Sequence, residues 1–189
     1  MDGFDKGRRI VAALALLALV AVVVALSFSD RTAKPMAING DTLGPDSTES
    51  SVEYQERAAV TFAEAPLGET AYSLITFTQP LGSEDAASLL QGVKRVNAMI
   101  MLSAPAMDIP EPIAGETRAD VFKRQISLVD ASLAGIGDVR APTELNGVVV
   151  WEAPENLEKI AENPLVFSVE TLPPDAAWGS FGVRPVNLQ

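Results

Sequence analysis

Between Ile10 and Phe28 runs IVAALALLALVAVVVALSF, nineteen residues without a charge, directly after the basic positions Lys6, Arg8 and Arg9. At 1.5 Å of rise per residue a helix over this stretch would reach about 28 Å, close to the roughly 30 Å hydrocarbon core of a bilayer. The run therefore predicts a single transmembrane helix. A cleaved signal peptide is the alternative, since it too begins with a short basic segment. Its apolar region usually spans about 7–15 residues before a small-x-small site. The run here is longer, and the nearest such site, Ala25-Leu26-Ser27, lies inside it. A retained signal-anchor is the favoured reading. Arg31 and Lys34 follow the span, so the charge bias for an internal N-terminus is small, but it places residues 29–189 on the extracytoplasmic side of the cytoplasmic membrane.

The organisation expected from this start is a cytoplasmic head at 1–9, the transmembrane helix at 10–28, a flexible tether at 29–50 and an α+β domain at 51–189 that ends in a tail at 173–189. Residues 29–189 hold eleven Lys and Arg against twenty-three Asp and Glu, a net charge of −12 within a whole-chain value of −11. Nucleic acid and anionic surfaces would repel such a domain, so no nucleic-acid partner is expected. The chain contains no cysteine and no histidine. Disulfides, Cys-ligated metals and the Ser-His-Asp and Cys-His forms of nucleophilic catalysis are thereby excluded within it. No Ser-x-x-Lys pair occurs either. The expectation is a protein that is not an enzyme and that holds no cofactor and no metal.

Within the domain, Val52, Ala59 and Phe62 among charged neighbours predict a first helix over residues 51–64. Tyr72–Thr78 is rich in aromatic and β-branched residues and predicts a strand. Ser83 with Glu84 and Asp85 opens a helix expected to run to Asn97, followed by a strand over Ala98–Leu102. Ser103–Glu116 contains three prolines and predicts a loop. Thr117 and Asp120 form a capping box ahead of apolar residues at helical spacing, which predicts a helix over Arg118–Ala134 that stops at Gly135. Gly147–Trp151, Pro154–Asn163 and Leu165–Thr171 then predict strand, helix and strand. The order β-α-β-β-α-β is that of a ferredoxin-like sandwich, here with an inserted helix, and such a sheet is expected to be covered on one face.

Asn146-Gly147-Val148-Val149-Val150, continuing through Leu157 to Asn163-Pro164-Leu165-Val166-Phe167-Ser168-Val169-Glu170, resembles the end of the peptidase inhibitor I9 module. Those modules are the prodomains that fold with, and then inhibit, subtilisin-like proteases. The resemblance covers about thirty residues, and the 189 residues include no stretch expected to be a protease domain. In composition and C-terminal wording the chain is also similar to uncharacterised membrane-anchored proteins of high-GC Gram-positive bacteria.

Candidate functional residues carry plain alternatives. Glu152, Glu155, Glu158 and Glu162 could hold a cation, but the last three form a solvent-facing helical stripe. Met99, Met101 and Met107 could bind a soft metal, but the first two share one face of a strand, as core residues do. Asp108 and Glu111 could act as paired carboxylates, with no acid–base partner to place beside them. In the tail, Trp178, Phe181 and Val183 are large apolar residues on a segment broken by Gly and Pro. They either cover their own sheet or bind a partner. The function these features imply is a membrane-anchored, extracytoplasmic interaction module, such as an accessory subunit of an envelope or respiratory complex. The bilayer would contact Ile10 to Phe28, and a protein partner would contact the tail. The alternative, implied by the I9 resemblance, is a membrane-tethered inhibitor or chaperone of a subtilisin-like protease.

Overall fold

The computed structural model describes residues 14–21, 41–101, 104–136 and 141–186. The chain divides into two compact units, residues 1–39 and 40–189. In the first, residues 14–21 are helical, and Leu14, Leu16, Leu17, Leu19 and Val20 are exposed. The rest of the expected span, 10–13 and 22–28, lies outside the described residues, as do the head at 1–9 and residues 29–40.

The second unit is built from β1 (Thr42–Leu43), α1 (Ser51–Ala63), β2 (Ala71–Leu81), α2 (Ser83–Leu89), β3 (Arg95–Ile100), β4 (Met107–Asp108), α3 (Arg118–Leu133), β5 (Leu145–Glu152), α4 (Pro154–Ala161), β6 (Val166–Thr171) and β7 (Gly182–Val183). Strands β4-β3-β5-β2-β6 form one antiparallel five-stranded sheet, and β1 and β7 pair in parallel as a separate ribbon. The segment 41–50, read from its composition as tether, thus contributes β1 and the fully buried Leu43 to the folded unit.

The central strand β5 is Val-rich because both of its faces are buried. Val148 and Val150 enter one core with Ile75, Phe77, Met99, Phe122 and Leu157, while Val149 enters a second core with Leu43, Tyr54, Leu74 and Ile100. Gly147 lets β5 approach β2, since a Cβ there would meet the Ile75 carbonyl oxygen at 2.6 Å. A register shift between Val96 and Ala98 in β3 puts Val96 and Met99 in the same core despite their odd spacing. On the first face Ala86 and Leu90, Val121 and Phe122, and Leu157 and Ile160 bring α2, α3 and α4 onto the sheet. The second face is covered by the β1–β7 ribbon and the tail, with Val186 buried. Helix α1 packs along β6. There Gln55 Nε2 donates to the Phe167 carbonyl at 2.8 Å, and the Thr171 N–H donates to Thr61 Oγ1 at 3.3 Å. These bonds occupy backbone groups of an edge strand that another chain could otherwise pair with.

The fold class expected from the sequence, a ferredoxin-like β-α-β-β-α-β sandwich with an inserted helix behind a single transmembrane helix, requires correction. The sheet has five strands, and it is covered on both faces rather than one. No helix among the described residues is long and apolar enough to cross a membrane. The single-pass signal-anchor assignment and the cytoplasmic-membrane localisation with an extracytoplasmic domain do not stand on this structure. Three boundaries also move. The helix expected over 83–97 ends at Leu89, because Gly92 adopts φ +93° in the turn that follows. Strand β3 accordingly begins at Arg95. Strand β2 continues through Pro80 to Leu81, since Pro80 falls where its pairing with β5 is interrupted.

Candidate interaction surface

Pro173 and Pro174 end the chain's path along β6 and begin a series of turns. Ala176 N–H donates to the Pro173 carbonyl at 3.0 Å, and Ser180 N–H donates to the Ala177 carbonyl at 2.9 Å. The chain then runs beside β1, with the Gly182 N–H on the Asp41 carbonyl at 3.2 Å and the Arg184 N–H on the Leu43 carbonyl at 2.8 Å. This path carries Trp178 and Phe181 onto Tyr72 of β2. The ring centroids of Tyr72 lie 5.4 Å from Trp178 and 5.1 Å from Phe181. Trp178 and Phe181 are 5.6 Å apart with their planes at 81°, an edge-to-face geometry that favours aromatic pairs.

Trp178, Phe181 and Val183 are half-buried: they pack on the second core and retain an outer surface. That surface borders a cleft of about 290 Å³ between Trp178, Phe181 and Val183 on one side and Pro105, Ala106 and Asp108 on the other. Strand β4, which contributes Asp108, is the outermost strand of the sheet on that side. The tail residues singled out from the sequence therefore come together, joined by residues from the proline loop that the sequence left unassigned to any surface. The apolar character of Pro105 and Ala106 next to Asp108 was the only local signal.

Two buried carboxylates hold the surrounding segments. Glu170 is 2% exposed. It accepts from the Gly44 N–H at 2.5 Å and from the Tyr54 hydroxyl at 3.1 Å, and it is ion-paired to Arg57. Arg57 also donates to Glu49 at 2.9 Å and to the Gly44 carbonyl at 3.0 Å, and its guanidinium lies 5.3 Å from the Tyr54 ring centre. Burial pushes the Glu170 carboxyl above the ordinary Glu range, against the opposing effect of Gly44, Arg57 and Tyr54. The hydrogen bond from Arg57 draws Glu49 below that range. Burial and the Glu170 charge together raise the Tyr54 hydroxyl far above its usual value. Gly44 is required at its place, because it has φ +98° and a Cβ would fall 2.1 Å from the Arg184 carbonyl oxygen.

Glu152, fully buried, behaves in the opposite way. Burial by itself would raise it, but the N–H of Lys94 at 2.7 Å, the Asn156 amide at 2.9 Å and the N–H of Ala153 at 2.9 Å outweigh that penalty and hold the carboxyl below the ordinary range. It ties the turn before β3 to the start of α4. Glu155, Glu158 and Glu162 are exposed, and no group of three or more acidic residues suited to a metal ion occurs among the described residues. Met99 and Met101 are core residues, and Met107 is half-buried against the same core. Asp108 and Glu111 are used separately: Glu111 accepts from the Val96 N–H at 2.7 Å and from Arg118 at 3.2 Å. Arg118 also closes on the Leu90 and Val93 carbonyls at 2.9 and 3.0 Å, fastening α3 to the α2–β3 turn. No family model, curated protein or solved structure matches this chain.

Proposed function

We propose that residues 41–186 form a non-enzymatic protein-interaction domain, of the kind that serves as an accessory subunit, and that its contact surface is the tail face built on Trp178, Phe181 and Val183. The observation that carries this reading is the half-buried aromatic cluster beside a cleft at the sheet edge. Half-buried Trp and aromatic side chains whose inner surfaces are fixed by their own core lose little freedom when a partner covers the rest. The tail is paired to β1 and buries Val186, which favours a preformed surface over a free tail that threads into a protease cleft, as the I9 resemblance would have it.

The test compares the wild-type chain with Phe181→Ser and Val183→Ser. Each is used to recover partners from the native source under cross-linking, with thermal unfolding as the control for folding. Specific loss of a partner by variants that remain folded is expected. Recovery of the same partners by all three chains would remove the reading.

A further inference from the structure

We propose that the cleft between Trp178, Phe181 and Asp108 receives an arginine side chain from an extended segment of the partner. This rests on the reading of the tail face as an interaction surface and names the chemistry recognised there. Trp178 and Phe181 meet at 81°, so they form a corner rather than a flat wall. Aromatic faces carry negative quadrupole density that attracts cations, Trp most strongly. Asp108 lies across the cleft on the two-residue edge strand β4 and is exposed.

Among the described residues Asp108 has no cationic partner. Arg184, next to Val183 in sequence, is already engaged by Asp46 at 2.7 Å and by the Pro45 carbonyl at 3.3 Å. Arg95 is placed opposite Trp151 on β3 and does not line the cleft. A carboxylate that lines a cleft with two aromatic rings, with Arg184 committed to Asp46 and Arg95 outside the cleft, is complementary to a guanidinium. Its plane can stack on a ring while its N–H fork bonds the carboxylate. At about 290 Å³ the cleft falls just below the size of ordinary small-molecule sites, which suits one side chain. The chain's net charge of −11 draws basic segments toward it in general, so the specific contact must be separated from that background.

The experiment titrates the full ¹⁵N-labelled chain with the peptide acetyl-Gly-Ser-Arg-Ser-Gly-amide and with its Lys and Gln counterparts. It follows the indole N–H resonance of Trp178, assigned by its loss in Trp178→Phe. A saturable shift with the Arg peptide, weaker binding by about threefold or more with Lys, and none with Gln are expected. Asp108→Asn should weaken the Arg peptide by about threefold to tenfold. An equal response to Gln, no response to Arg, or unchanged affinity in Asp108→Asn would overturn the proposal, and equal affinity for Lys would overturn the choice of arginine. If these fail while Phe181→Ser still loses its partner, the cation chemistry falls and the interaction surface stands. If Phe181→Ser loses nothing, both fall.

Discussion

On one face of the sheet, Phe122, Leu157 and Ala86 bring three amphipathic helices onto Ile75, Val148 and Val150. On the other, Leu43, Tyr54, Leu74, Val186 and the tail aromatics surround a carboxylate that joins Gly44, Tyr54 and Arg57. The first face is made by elements that follow their strands closely in sequence. The second brings together positions 44 and 170, 126 residues apart. Long-range closure of this kind costs chain entropy that apolar contact alone must offset, and here a directional network adds to it. Each face thus carries a buried carboxylate, but Glu152 of the first is satisfied mainly by N–H donors and held low, whereas Glu170 of the second is ion-paired to Arg57 and pushed up by burial, so the two should respond differently to the same class of change.

The largest effects should come from the centre of each face. Phe122→Ala should lower stability by about 3–5 kcal/mol through cavity formation, and Glu170→Ala by about 2–3 kcal/mol, because the buried Tyr54 hydroxyl and the Gly44 N–H lose their acceptor. Urea unfolding would measure both. They separate on isosteric replacement: Glu170→Gln should recover much of the loss, because burial already disfavours the charged form and one amide oxygen can still accept from Gly44 or Tyr54. If Glu170→Gln is as damaging as Glu170→Ala, the second face depends on the ion pair itself and not on hydrogen bonding.

Truncation after Leu172 removes Trp178, Phe181 and Val186 from the second face only. At roughly 2–4 °C per kcal/mol for a chain of this size, a fall in Tm of about 5–10 °C is expected. An unchanged Tm would mean that the tail covers the face without supporting it.

The caps give a smaller comparison. Ser50 caps α1 and Thr117 caps α3, each in a capping box, and either change to Ala should cost about 1 kcal/mol. A larger loss at Ser50 would show that α1 transmits its cap to the Arg57–Glu170 pair.

The smallest expected effect is on pH dependence, and its direction is opposite for the two buried carboxylates. Glu170 binds its proton more tightly folded than unfolded. Its contribution to stability therefore increases as pH falls from above its raised value to the ordinary 4.5. Glu152, held low, contributes above 4.5 and loses that contribution as pH falls through its folded value. Unfolding midpoints across pH should show the wild type gaining on Glu170→Gln toward pH 4.5, and losing its advantage over Glu152→Gln below it.

Local elements were legible in the residues wherever chemistry and periodicity agree over a few positions. The capping box at Thr117 and the spacing of Val121, Phe122 and Ile126 place α3 within a residue, and Pro154 at the first helical turn places the start of α4. Absent Cys and His settle which chemistries the chain cannot perform, since those depend on residue types alone. How distant segments meet was not legible there and follows from the packed fold. An exposed-looking Asp-Thr-Leu-Gly stretch becomes a strand because β7 lies beside it. Glu170, one acidic residue among twenty-five, becomes a buried anchor because Arg57 and Gly44 reach it. The apolar run at 10–28 shows the same limit from the other side. Hydropathy counts residues that could enter a bilayer, whereas no helix among the described residues is long and apolar enough to cross one. Nothing in local sequence encodes the strand at Thr42 or the anchor at Glu170, because each depends on a partner more than a hundred residues away, and such meetings are properties of the folded chain.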